Sequence, residues 1–120
     1  MNFTVIQKRN VKIVTCIPDG TRISSEADAL DAVAACGEYD TYKLLIPGEC
    51  LSESFFDLKS GLAGAVLLKF SNYRIQAGVL VQAEMIGVGK FYEFVLETNR
   101  GNEFRVFQDR DKALDWLVEK

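Results

Sequence analysis

Apolar residues in this chain change their period as the sequence advances, from every second position to every third or fourth and back, and this switching dictates the class of fold. Residues 2–8 and 11–17 are rich in β-branched side chains. Only Arg9-Asn10 separates them, and asparagine tolerates positive φ, so the pair reads as a hairpin. After the turn chemistry of Pro18-Asp19-Gly20, Ser25 followed by Asp28 resembles a capping box, and Ala27, Leu30, Val33 and Ala34 recur at helical spacing. The pattern predicts a helix over 26–36, closed by Gly37 as a left-handed C-cap. Residues 43–46 read as a short strand ended by Pro47-Gly48, after which Ser52 or Ser54 can cap a turn carrying Phe55 and Phe56. A second helix is expected over 60–73, with Gly61 and Gly64 near its start, and then an apolar strand over 75–81. Gly87-Val88-Gly89 reads as a loop, Phe91, Phe94 and Val95 as the start of a third helix, and Gly101 as its close. Residues 103–107 form a last strand; Asp109 caps a terminal helix whose inward stripe is Ala113, Leu114, Leu117 and Val118.

The expected order is thus ββαβαβαβα: an α/β fold whose mixed β-sheet begins with an N-terminal hairpin and continues in βα repeats. At 120 residues, without a linker or low-complexity tract, the chain is read as a single domain over 1–120. No apolar run approaches the ~20 residues that cross a bilayer, and "MNFTVIQKRN" lacks the layout of a secretion signal, so a cytoplasmic protein with no membrane partner is expected. Cys16, Cys36 and Cys50 form neither a disulfide framework nor a metal-ligand spacing, and reduced thiols are expected. The 14 basic and 17 acidic residues are interleaved, which argues against nucleic acid as a partner. There is no histidine. Imidazole-activated nucleophiles and imidazole acid–base chemistry are therefore excluded, and neither a cofactor nor a metal site is expected.

The stretches "FFDLKSGLAGAVLLKF" and "FVLETNRGNEFRVFQDRDKALDWL" resemble the bacterial family designated domain of unknown function 4180, and the resemblance covers nearly the whole chain. That family carries no established activity. More distantly, the element order and Phe56-Asp57 followed by Ser60-Gly61-Leu62 are similar to the STAS domains of anti-sigma-factor antagonists and anion transporters, whose second helix opens with a motif of the type F-x-D-S-S-G-L-G. Here Leu58-Lys59 stands where that motif has one small residue. The ending "FRVFQDRDKALDWL" also resembles the SpoIIAA-like family. The STAS resemblance implies a serine that a partner kinase phosphorylates to control protein binding, with Ser60 the nearest match; read from the residues alone, Ser60 is a helix cap.

Ligands of open α/β sheets gather beyond the carboxyl ends of parallel strands, here expected at 47–57, 82–90 and 108–110. The first segment holds Glu49, Cys50, Glu53 and Asp57, with Lys59 just beyond. Its three carboxylates are candidates for a divalent ion or a shared proton, although acidic residues also favour helix starts for electrostatic reasons. Cys50 needs a neighbour other than histidine to become a nucleophile, and otherwise reads as an inert thiol. Gly87, Gly89 and Lys90 invite comparison with a phosphate loop, but Glu84 and Phe91 break the Walker pattern. Asn99-Arg100-Gly101-Asn102 reads as a helix C-cap in which Gly101 supplies positive φ. Phe91, Tyr92, Phe94 and Trp116 read as core. From Leu62 to Phe70 the only charge is Lys69, so Leu62, Val66, Leu67 and Leu68 are candidates for an interface between copies or the roof of an apolar pocket. The expected function is a non-enzymatic STAS-like binding or regulatory module, open to phosphorylation and to homodimer formation. Its alternatives are a carrier of a small apolar ligand between the sheet and helices two and three, and a carboxylate or metal-dependent enzyme using Glu49, Glu53 or Asp57.

Overall fold

The computed structural model describes residues 1–87 and 89–119. Its strands are β1 (Phe3–Lys8), β2 (Val11–Cys16), β3 (Lys43–Pro47), β4 (Gln76–Leu80) and β5 (Phe104–Phe107). Its helices are α1 (Glu26–Glu38), α2 (Glu53–Phe56), α3 (Leu62–Asn72), α4 (Ala83–Ile86), α5 (Lys90–Thr98) and α6 (Arg110–Val118). The strands lie side by side in chain order, β1 antiparallel to β2 and every later pair parallel. The expected mixed sheet with an N-terminal hairpin is therefore present. Arg9 and Asn10 both take positive φ, 51° and 67°, as a two-residue turn matched to strand twist requires. Among the described residues no helix is long and apolar enough to cross a membrane.

Because each crossover moves one place in the same direction, its helix is delivered to the same face each time. Accordingly α1, α3 and α5 share one core with Val14, Leu44, Ile46, Ala77, Val79 and Val106. The alternate strand positions, Ile13, Leu45, Leu80 and Phe107, meet α6 alone on the opposite face. Trp116 and Leu117 of α6 pack over Gly78, where a Cβ would lie in ordinary contact, 3.7 Å from both the Trp116 ring and a Leu117 methyl. A sheet wound in one direction throughout has no point where the strand order reverses, so the crevice of doubly wound folds is absent.

Several boundaries fall elsewhere than expected. Gly37 does not cap α1; it lies inside the helix, which closes at Tyr39. Asp40 takes the left-handed conformation (φ 55°), Thr41 N–H donates to the Cys36 carbonyl at 3.0 Å, and Asp40 N–H to that of Gly37 at 3.1 Å. These two bonds make a Schellman closure with aspartate in the place usually held by glycine. Arg74 (φ 59°) closes α3 in the same way through Ile75 N–H and the Phe70 carbonyl. Gly101 is not left-handed either; among the described residues the glycines with positive φ are Gly20, Gly61, Gly87 and Gly89. Instead Asn99 ends α5 and turns its amide onto β5, donating to the Val106 carbonyl at 3.0 Å and accepting from Val106 N–H at 2.8 Å. The expected helix over 60–73 begins only at Leu62, behind a 3-10 turn of Leu58–Ser60 and Gly61 at φ 78°. Tyr92 is exposed rather than core, whereas Phe91 and Trp116 are buried and Phe94, half-buried, packs against Phe91 with ring centroids 5.6 Å apart.

Candidate functional site

Three segments meet beyond the carboxyl ends of β2, β3 and β4. After β2 the chain runs to Ile23, whose N–H donates to the Cys50 carbonyl at 2.7 Å and whose carbonyl accepts from Ser52 N–H at 3.2 Å. This short parallel bridge stitches the β2–α1 loop to the 3-10 turn of Gly48–Cys50 that follows β3. That turn approaches β4 so closely that only glycine fits at its head: a Cβ on Gly48 would lie 2.6 Å from the Leu80 carbonyl oxygen. Gly48→Ala must push the two strand ends apart and is expected to cost about 1–3 kcal/mol, the range for overpacking, as read by denaturant titration.

The junction leaves a cleft of about 380 Å³ between α2 and α4. Leu51, Phe56, Leu80, Val81 and Met85 make its apolar surface; Arg22, Glu49, Glu53 and Gln82 supply the polar groups. Among the described residues Arg22, Glu49 and Glu53 take part in no ion pair. Apolar walls with a few convergent polar groups are the usual composition of a small-molecule site. A shallower hollow of similar size adjoins it, sharing Glu49 and Leu80 and lined further by Cys16, Pro47 and Arg110.

Of the ligand-site candidates Glu49, Cys50, Glu53, Asp57, Lys59, Gly87, Gly89 and Lys90, the fold brings only Glu49 and Glu53 into the cleft. Asp57 is spent on local structure, its Oδ1 accepting from Lys59 N–H at 3.1 Å, and both residues are exposed away from the cleft. The three carboxylates therefore do not converge, and among the described residues no group of three or more carboxylate or thiol side chains could hold a metal ion. Gly87 and Gly89 flank the α4–α5 connection with φ of 59° and 92° and ψ near the extended limit, a region essentially reserved for glycine. Val88 lies outside the described residues. These two glycines and the exposed Lys90 do not line the cleft.

Cys50 is adjacent to the cleft in sequence but turned into the core, with no exposed surface. Interaction with the neighbouring Cys16 thiol holds Cys50 below the usual thiol range, and the same interaction together with burial pushes Cys16 above it. Cys36 is pushed up to about 12 by burial alone. Ser60 is exposed; its hydroxyl donates to the Ser54 carbonyl at 2.6 Å and accepts from Leu62 N–H at 3.2 Å, tying α2 to the start of α3. Gly61, not Ser60, occupies the cap position of α3. On α3, Leu62 and Val66 are core residues, Leu67 is half-buried, and Leu68 alone of the four is well exposed, at 58%. Beneath α3 and α5, the helices between which an apolar ligand was expected, Val66, Phe70, Phe91 and Val95 are core residues.

Sequence reasoning missed Arg22, Phe56, Gln82 and Met85 as members of one site. Arg22 carried a usable signal: β2 is parallel to β3, so the loop after β2 belongs to the same carboxyl edge. Gln82 and Met85 lay in a segment already singled out, but nothing in their periodicity announces a four-residue helix.

The model of one family, described as Domain of unknown function (DUF4180), matches residues 8–117 of the chain. No curated protein and no solved structure matches it.

Proposed function

The chain belongs to the DUF4180 family, whose description assigns no activity, and we propose that it is a non-catalytic binding module of STAS-like or SpoIIAA-like architecture that acts by holding a small ligand at the carboxyl edge of its sheet. The observation that carries this reading is the cleft: an apolar surface of Leu51, Phe56 and Met85 beside Arg22, Glu49 and Glu53, none of which is in an ion pair among the described residues. A ligand with a compact apolar body and one charged or strongly polar end fits that composition. The absence of histidine and the dispersal of Glu49, Glu53 and Asp57 favour binding over catalysis. A regulatory role through Ser60 is the second reading. It is favoured by the exposure of that hydroxyl and by its bond to the Ser54 carbonyl, which a phosphate would break, loosening α2 at the cleft wall.

Native mass spectrometry of freshly purified protein tests the first reading. Wild-type protein is expected to retain a small-molecule mass. Met85→Trp, which fills the cleft from an exposed position, is expected to lose that mass with unchanged circular dichroism. A wild-type protein that carries no ligand, and whose melting temperature is unmoved by a panel of amphipathic carboxylates and amines, overturns it.

A further inference from the structure

The two edges of the sheet are treated differently. At β5, the outward N–H and C=O of Val106 are both taken by the Asn99 side chain, and Arg105 folds back onto the Gly101 carbonyl at 2.7 Å, so this edge offers little to another strand. At β1 nothing comparable occurs. Ile17 N–H donates to the Asn2 carbonyl at 2.9 Å, which makes residues 2 and 17 a hydrogen-bonded pair of the antiparallel ladder. By alternation Thr4, Ile6 and Lys8 bond inward to β2, while the main-chain groups of Phe3, Val5 and Gln7 point away from it. No described side chain or loop takes those outward groups. The strand has no proline, no bulge and one charge, Lys8 at its end, which is already engaged at 2.7 Å by Asp115.

We propose that β1 is a self-association edge, pairing antiparallel with β1 of a second copy of this chain about a two-fold axis through Val5. The register follows from the geometry. A two-fold axis perpendicular to the sheet keeps each side chain on its own face, so residues of equal parity must oppose each other. Centring the axis on Val5 places Val5 opposite Val5 and Phe3 opposite Gln7, and these are the positions whose donors and acceptors point outward. Every outward group of the strand is then satisfied by the partner, each facing pair exchanging both of its bonds. Thr4 falls opposite Ile6, and Lys8 opposite Asn2, so no like charges confront one another. The approach runs in the plane of the sheet: α1, α3 and α5 pack on one face, and α6, centred on β3, β4 and β5, reaches β1 on the other face only through Ile6 and the Lys8–Asp115 ion pair. Phe3, packed at the margin of the first core, and Val5 are left half-buried, apolar surface that the second copy would cover. The result is one sheet continuous through both copies, independent of whether the cleft binds a ligand.

Light scattering with amide hydrogen exchange tests this. Wild-type protein is expected to scatter as twice its 13.4 kDa chain mass, with the Val5 amide exchanging at least about tenfold more slowly in concentrated than in dilute samples. Val5→Pro removes a donor that the monomer does not use and is expected to give a folded monomer. Leu68→Glu, on exposed α3 surface, is expected to leave the dimer intact. The proposal is overturned by a wild-type chain that stays monomeric up to on the order of 1 mM. It is equally overturned by a dimer that survives Val5→Pro or dissociates in Leu68→Glu. Should Val5→Pro fail to fold, the exchange rates of the Phe3, Val5 and Gln7 amides decide: concentration-independent rapid exchange refutes the edge contact.

Discussion

Trp116→Ala is expected to lower the free energy of unfolding by about 3–5 kcal/mol, the range for truncating a large buried aromatic. The residue is 6% exposed on α6, the one helix covering its face of the sheet. Its ring packs on Phe107 with centroids 5.6 Å apart and reaches toward the bare Cα of Gly78, while the Arg105 guanidinium lies 5.1 Å above it. A short helix held by one face has no neighbour to fill the space, so the cavity persists instead of collapsing. Trp116→Phe keeps most of the volume and is expected to cost under about 1.5 kcal/mol. Denaturant titration followed by far-ultraviolet circular dichroism measures both, since the tryptophan signal is lost. A change near zero for Trp116→Ala would mean that α6 is not anchored through this side chain.

The element order was readable because period-2 and period-3.6 patterns differ sharply over six or more residues, as in β2 and α1. The sheet order was not readable, since alternation implies parallel pairing without saying in which direction successive strands are added. That direction decides much of the chemistry. It gathers the first core onto one face, leaves α6 alone on the other, and removes the crevice where ligands of doubly wound sheets sit. Helix ends were misread for local reasons: Asp40 accepts left-handed φ in the closure of α1, where glycine is the default expectation, so Gly37 attracted the assignment, and α5 is ended by Asn99 with its side chain on β5, not by Gly101. Glu49 and Glu53 were legible as candidates because turns after parallel strands are few. Their partners Arg22 and Met85 were not, because they arrive from separate loops joined by the Ile23–Leu51 bridge and by the close approach of Gly48 to Leu80.

Phe55→Ala should destabilise the fold by about 3–5 kcal/mol as well, and here the loss reaches the cleft directly. Phe55 has no exposed surface although it lies on a four-residue helix. Its ring meets Phe56 at 5.7 Å and both Phe91 and Phe104 at 6.3 Å, which joins α2 to α5 and β5. So short a helix has almost no stability of its own. Nor does its N-cap help, since the Ser52 hydroxyl makes no capping bond and, among the described residues, is buried without a partner. Packing of Phe55 is therefore what holds the wall from which Glu53 and Phe56 face the cleft. In Phe55→Ala the amides of residues 53–57 are expected to exchange at close to unfolded rates under conditions where those of β3 and β4 stay protected, because local opening of α2 then costs far less than global unfolding. Any retained ligand should be lost at the same time. Phe55→Leu restores much of the buried apolar surface and is expected to recover most of both effects. Equal protection of α2 and β3 in Phe55→Ala would show instead that the wall is held by the Ser60–Ser54 bond and the Ile23 bridge rather than by the aromatic cluster.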